Sequence, residues 1–209
     1  MEKIHEFSLK ANYYQIGNSK NPERIWLVCH GYGQLASRFI KKFNPLDQNK
    51  NLIIAPEGLS HFYLDGLSGN VGASWMTKHN RELEIENQFS FLESLMISKV
   101  KASKAKRISL LGFSQGGATI CRWIAKSEII FDDLYLWATI FPPDMSTDFL
   151  DKTLLGKNVR IFYGDKDPFL KNEHVEKTKQ LLDRVPQLKI VKFEGDHRVM
   201  PEVLIKHMD

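Results

Sequence analysis

An α/β fold built on a mostly parallel, twisted sheet flanked by helices is what the sequence predicts, on three observations. Six short apolar runs rich in β-branched and aromatic residues recur along the 209 residues: IWLVCH (25–30), NLIIAPE (51–57), RISLLGF (107–113), DLYLWATIF (133–141), NVRIFYG (158–164) and QLKIVKF (187–193). Each is continuous and ends in a glycine, proline or polar cluster, the pattern of strands buried on both faces of a parallel sheet. Between them lie stretches of helical spacing, and that alternation is the mark of α/β architecture. Finally, Gly112, Gly116 and Gly117 crowd the point where the third run hands over to a helix, where glycine permits a sharp bend or a close approach of backbone.

In chain order, the first twenty residues alternate weakly (IHEFSLKANYYQIG) and predict an antiparallel edge hairpin, with residues 18–22 as the turn into the first core strand. Residues 56–80 carry Gly58, Gly66, Gly69 and Gly72 among large apolar side chains without clear periodicity. A loop that long is usually functional, so this one is expected to wall a pocket. Residues 80–100 set Leu83, Ile85, Phe89, Leu92, Leu95 and Met96 on one helical face that covers the sheet. A second helix over 172–185 turns Val175, Thr178, Leu181 and Leu182 inward and stops before Pro186, and Pro201 opens a last helix that reaches Met208. Neither a repeat nor a low-complexity linker interrupts the chain, so residues 1–209 are expected to form a single domain with no large cap domain.

Composition narrows the function classes. The chain is 43% hydrophobic and 26% charged, and no apolar run approaches the roughly 18 residues of a membrane-spanning helix. The start, MEKIHEFSLK, lacks the apolar core of a secretory signal, so the mature chain is expected to begin there. Cys29 and Cys121 lie in or beside apolar segments, where free thiols behave as small buried hydrophobes, and this favours a cytoplasmic location. The net charge is +4, with the densest basic run at Lys99, Lys101, Lys104, Lys106 and Arg107. Cations there suit a helix C-terminus and a solvated loop, and no nucleic-acid module accompanies them, so no nucleic-acid partner is expected.

Gly112, Ser114 and Gly116 spell GxSxG between a predicted strand and a predicted helix, the context of a nucleophile elbow. A serine hydroxyl needs a base, and the base a carboxylate that orients it. Asp167 in YGDKDPF follows the fifth run and His197 in FEGDHRV the sixth, which puts both at the strand ends where Ser114 stands. Asp165 shares the acid loop as an alternative, although the turn at Pro168 favours Asp167. Of the other histidines, His79, His174 and His207 fall on helix surfaces, and His5 and His61 on an edge strand and a loop. The order serine, acid, histidine is that of an α/β hydrolase. HGYG (30–33) follows the first run; the Tyr32 amide there and the Gln115 amide after the serine are the expected oxyanion donors, with His30 bracing the loop. Phe62, Tyr63, Leu67, Trp75, Phe141, Phe169 and Leu170 lie on loops or strand ends near this constellation and are expected either to line an apolar pocket or to pack in the core.

With these residues in place, the chain resembles the phospholipase/carboxylesterase family of small α/β hydrolases, which includes acyl-protein thioesterases. The match runs through HGYG, APEG (55–58), ASW (73–75), GFSQGG (112–117), GDKDP (164–168) and GDH (195–197), in family order over nearly the whole chain. The resemblance implies hydrolysis of a small-molecule carboxylic ester or thioester, no metal and no organic cofactor, frequent homodimers, and a Trp75 that lines or supports the acyl pocket. Gln34 stands where members often carry aspartate, and Phe169 and Leu170 stand where valine and proline are common. These positions shape the loops and leave the reaction class intact while opening the choice of substrate. Carboxylesterase activity through an acyl-enzyme is the leading expectation. An acyl thioesterase, a lysophospholipase, an acyl transferase and a non-catalytic ligand-binding protein on the same fold are its alternatives.

Overall fold

The structure, a computed structural model, describes residues 3–142, 144, 145, 150–170, 172–183 and 185–208. Seven strands form the main sheet: β1 (Tyr13–Gly17), β2 (Arg24–Cys29), β3 (Asn51–Pro56), β6 (Arg107–Phe113), β7 (Asp133–Trp137), β8 (Asn158–Gly164) and β9 (Leu188–Phe193). Their order is β1-β3-β2-β6-β7-β8-β9, parallel throughout except for β1 at the edge. The helices are α1 (Ala36–Phe39), extended by a 3-10 turn Ile40–Phe43, then α2 (Arg81–Lys101), α3 (Gln115–Ile124), α4 (Asn172–Leu182) and α5 (Pro201–His207).

The continuous apolar runs become strands with both faces covered. In β2, Ile25, Leu27 and Cys29 join one core with Leu92 and Met96 of α2 and Trp123 of α3. Trp26 and Val28 join the opposite core with Phe39 of α1, Phe43 and Leu204 of α5. The twofold period of a strand splits one sequence run between two layers. In α4, Val175, Thr178 and Leu182 are buried as their spacing requires; the Leu181 side chain lies outside the described residues.

Three expectations are corrected. The N-terminal segment contributes one strand, not a hairpin of its own: β1 pairs antiparallel with β3 from Tyr13↔Pro56 to Gly17↔Leu52, and residues 3–12 form no strand. Joining the open edge of a seven-stranded sheet is favoured over an isolated two-stranded ribbon, which is marginal in water. The segment 56–80 is not a loop throughout. It folds back as a hairpin of β4 (Ser60–Tyr63) and β5 (Val71–Ser74), with Gly66 and Gly69 at φ 89° and 94° between them. The run expected to extend to residue 141 stops at Trp137, because Ala138 takes φ 47° and donates its amide to Phe162 O at 2.7 Å.

The basic run also divides. Lys99 and Lys101 occupy the last turn of α2, whereas Arg107 begins β6 and forks onto Asp133 at 2.7 and 2.6 Å. Asp133 is fully buried and accepts further bonds from Ser109 Oγ (2.7 Å) and Asn158 Nδ2 (3.0 Å). Burial would raise its pKa, but the bonds from Arg107, Ser109 and Asn158 outweigh that and hold the carboxyl below its ordinary range. Ser109, Asp133 and Asn158 sit in register on β6, β7 and β8, so one carboxylate ties the amino ends of three strands.

Candidate active site

Ser114 stands between β6 and α3 with φ 52° and ψ −119°. A non-glycine residue at positive φ is strained by about 1–3 kcal/mol and persists where its surroundings over-determine it. Here its amide donates to Trp137 O at 2.9 Å and its carbonyl accepts from the Thr139 hydroxyl. The glycines around it are required by contact. A Cβ on Gly112 would lie 2.3 Å from Gly117 Cα, and one on Gly116 would lie 2.3 Å from Cys29 O. Strand, elbow and helix therefore pack backbone against backbone.

Asp167 and His197 meet at the same rim. The His197 Nδ1 donates to Asp167 Oδ2 at 2.7 Å; since an ionised carboxylate only accepts, this fixes the proton on Nδ1 and leaves Nε2 as the basic nitrogen. The other carboxylate oxygen accepts from the amides of Phe169 (2.8 Å) and Leu170 (3.1 Å), so the acid is held on both sides. Asp165 serves the loops instead. Its Oδ1 accepts from the Gly195 amide at 3.0 Å, and the Lys166 amide donates to Gly195 O at 2.9 Å. These bonds staple the loop after β8 to the loop after β9. The imidazole of His197 lies between the rings of Phe113 (4.8 Å) and Phe169 (4.9 Å). Phe113 is the residue before Ser114, so this ring contact puts the imidazole beside the elbow.

The HGYG turn closes on the same point. A Cβ on Gly31 would come within 3.3 Å of Ser114 Cβ, so this backbone borders the serine directly. Within the turn, the Gly31 amide donates to Gln34 Oε1 (3.1 Å), the Gly33 amide to Ala73 O (2.9 Å) and the Gln34 amide to Gly31 O (3.2 Å). Among the described residues no acceptor takes the Tyr32 amide, nor the Gln115 amide at the first position of α3. Unpaired backbone donors, one in a turn and one at the start of a helix, can hold an anionic oxygen.

Beneath the turn, His30 donates from Nδ1 to Gly31 O (2.8 Å) and accepts at Nε2 from the Gly58 amide (3.1 Å). Burial lowers its pKa, with the Gly31 bond and the nearby Glu57 opposing, so it serves as a neutral brace. Trp75 packs on it at 4.8 Å and donates Nε1 to His30 O at 2.8 Å. One further support has no signal in the sequence. The Gln115 side chain accepts from the Trp75 amide (3.0 Å) and donates to Met76 O (2.7 Å), tying the elbow to the segment after β5. A hydrogen bond across forty residues leaves no periodic trace.

The residues expected to line a pocket separate into groups. Phe169 is 69% exposed against His197, while Leu170 beside it is buried. Phe62 stacks on Tyr32 at 5.0 Å, next to the turn. Tyr63 is half exposed at the end of β4, and Leu67 is 94% exposed between β4 and β5, so the structure does not bring Leu67 to the others. Trp75 and Phe141 are buried in the core shared with α2 and α3.

Among the described residues no helix is long and apolar enough to cross a membrane. The architecture is shared with solved α/β hydrolases at low identity. Zea mays acyl-protein thioesterase 2 superimposes with a TM-score of 0.71 at 12% identity, over 94% of this chain and 96% of that one. The Bacillus cereus carboxylesterase gives 0.66 at 15% identity, over 94% and 91%. A phospholipase/carboxylesterase from Dyadobacter fermentans gives 0.68 at 14% identity, over 97% and 98%. No curated protein matches the sequence significantly. The sequence model of the phospholipase/carboxylesterase family matches residues 11–208, and the chain belongs to that family of α/β hydrolases.

Proposed function

We propose that this protein is a serine esterase that hydrolyses small carboxylic esters through an acyl-enzyme on Ser114. The observation that carries the reading is the 2.7 Å bond from His197 Nδ1 to Asp167, on an imidazole packed against the residue preceding a serine at positive φ. His197 Nε2 takes the Ser114 proton as Oγ bonds to the ester carbonyl carbon. The carbonyl electrons move onto oxygen, and the amides of Tyr32 and Gln115 hold the resulting anion. As the tetrahedral species collapses, the carbon–oxygen bond to the alcohol breaks and His197 returns the proton to the leaving alkoxide. Water then repeats the cycle on the acyl-enzyme and releases the acid and the serine.

Asp167 keeps the imidazole in the tautomer with a lone pair on Nε2 and stabilises the imidazolium that forms. These steps need neither a metal nor an organic cofactor. The chain works as one domain, and its two buried free cysteines suit the reducing cytoplasm. A thioester carbonyl fits the same steps, so a panel of esters and thioesters of rising acyl length ranks the substrates. The deciding comparison is turnover of short aryl esters by wild type and by Ser114→Ala. Near-complete loss in the variant is expected; wild-type turnover in the variant would overturn the reading.

A further inference from the structure

The turn that carries Asp167 also presents an aromatic ring to solvent. Asp167 Oδ1 accepts from the amides of Phe169 (2.8 Å) and Leu170 (3.1 Å), and the buried Leu170 side chain anchors the far end of the turn. Phe169 is thereby held with 69% of its surface exposed and its ring 4.9 Å from the His197 imidazole. An exposed apolar side chain is ordinary on a protein surface, so exposure alone assigns nothing. The contact with the base does. Phe113, which is buried, covers the imidazole from within the core at 4.8 Å, and Phe169 borders it on the side open to solvent.

What this placement means rests on the esterase reading. In that reading His197 returns its proton to the leaving alkoxide, so the alcohol oxygen stands within hydrogen-bond reach of the imidazole. The carbonyl oxygen is held instead by the amides of Tyr32 and Gln115. The alcohol half of the ester is therefore the half that meets Phe169. Charges on the two surrounding loops are matched within them: Lys166 pairs with Glu194 at 3.2 Å and Arg198 with Asp196 at 2.9 Å. Both cations of residues 164–170 and 194–200 are thus taken, and a phosphate or carboxylate on the alcohol would have to compete for them.

We propose that Phe169 is a specificity-determining residue for the alcohol, and that the ester cleaved at Ser114 is that of an uncharged aromatic alcohol of the benzyl type, whose ring packs on the Phe169 ring. Two aromatic rings attract through their quadrupoles beyond what burial alone supplies. A saturated ring of the same size gains only the burial.

The test compares kcat/KM of the full chain for benzyl acetate and cyclohexylmethyl acetate. Both release primary alcohols of the same carbon skeleton and similar acidity, and the saturated one is the more hydrophobic, so burial alone would favour it. Wild type should prefer the benzyl ester by about fivefold. In Phe169→Leu, which keeps an apolar contact with the imidazole but has no ring, the preference should fall to about twofold or less, and Phe169→Tyr should retain it. A ring that only steadied His197 would slow both esters alike on replacement and leave their ratio unchanged. Equal kcat/KM of wild type for the two esters, or an undiminished ratio in Phe169→Leu, would overturn the proposal; if Ser114→Ala still abolishes turnover, the esterase reading stands. Hydrolysis of neither ester by wild type would overturn both.

Discussion

The two aspartates of GDKDP are two residues apart, yet their carboxylates do separate things. Asp167 orients His197, and Asp165 fastens one loop to the next through the Gly195 amide. Their substitutions should therefore differ in kind. Asp167→Asn removes the acceptor that fixes the tautomer and should lower kcat on an aryl ester by about 10³- to 10⁴-fold. Asp165→Asn should leave kcat within about tenfold, since only a loop contact weakens. Steady-state kinetics on both variants checks this, and equal losses would contradict the division of roles. In the sequence, Pro168 favours Asp167 without excluding Asp165, because a turn signal locates a loop and not the direction of a side chain. The networks of His30 and Gln115 are less legible, as they join residues 28 and 40 positions apart.

At the scale of elements, legibility follows burial. The fully buried strands β2, β3 and β7 are written as unbroken apolar runs; β2 and β3 lie within about a residue of theirs, and β7 begins where its run begins but ends at Trp137. The hairpin of β4 and β5 escapes a reading of the sequence because β4 alternates between half-buried and exposed residues and β5 contains a glycine, which weakens any strand pattern. The four residues of α1 are too few to show a helical period.

Two substitutions test the element contacts. Gly112→Ala forces a Cβ to within 2.3 Å of Gly117 Cα, so β6 and α3 must separate. It should cost about 3 kcal/mol of stability by urea denaturation and sharply slow labelling of Ser114 by a fluorophosphonate. At the opposite rim, Asp133→Asn breaks the paired hydrogen bonds from Arg107 and should destabilise by about 3–5 kcal/mol near neutral pH. Its folded pKa is depressed, so the stability it confers is present above the ordinary carboxylate range and is lost as pH falls through the lowered value. Stability indistinguishable from wild type at neutral pH would refute the tie across three strands.

For the whole molecule, the sheet order places Ser114, Asp167 and His197 after β6, β8 and β9, all at carboxyl ends of parallel strands. This convergence is readable from the sequence because parallel strands share one polarity, so any residue just past a strand falls on a known edge. Global stability should carry the mark of the buried brace under that edge. His30 stays neutral in the folded chain where an unfolded histidine, with its ordinary pKa of 6.5, takes a proton. Its contribution is thus complete above that value and declines as pH falls below it toward the lowered folded pKa. The urea midpoint should drop between about pH 7.5 and about pH 5.5, and His30→Asn should flatten that slope. An identical slope in the variant would show that the imidazole is not held neutral.

If His197 makes Ser114 nucleophilic at this rim, intact-protein mass spectrometry after treatment with a fluorophosphonate, followed by peptide mapping, will reveal it. One phosphonyl group on Ser114, abolished in Ser114→Ala and strongly slowed in His197→Ala, is the predicted result. An unlabelled wild-type protein, or a label on another residue, would contradict it.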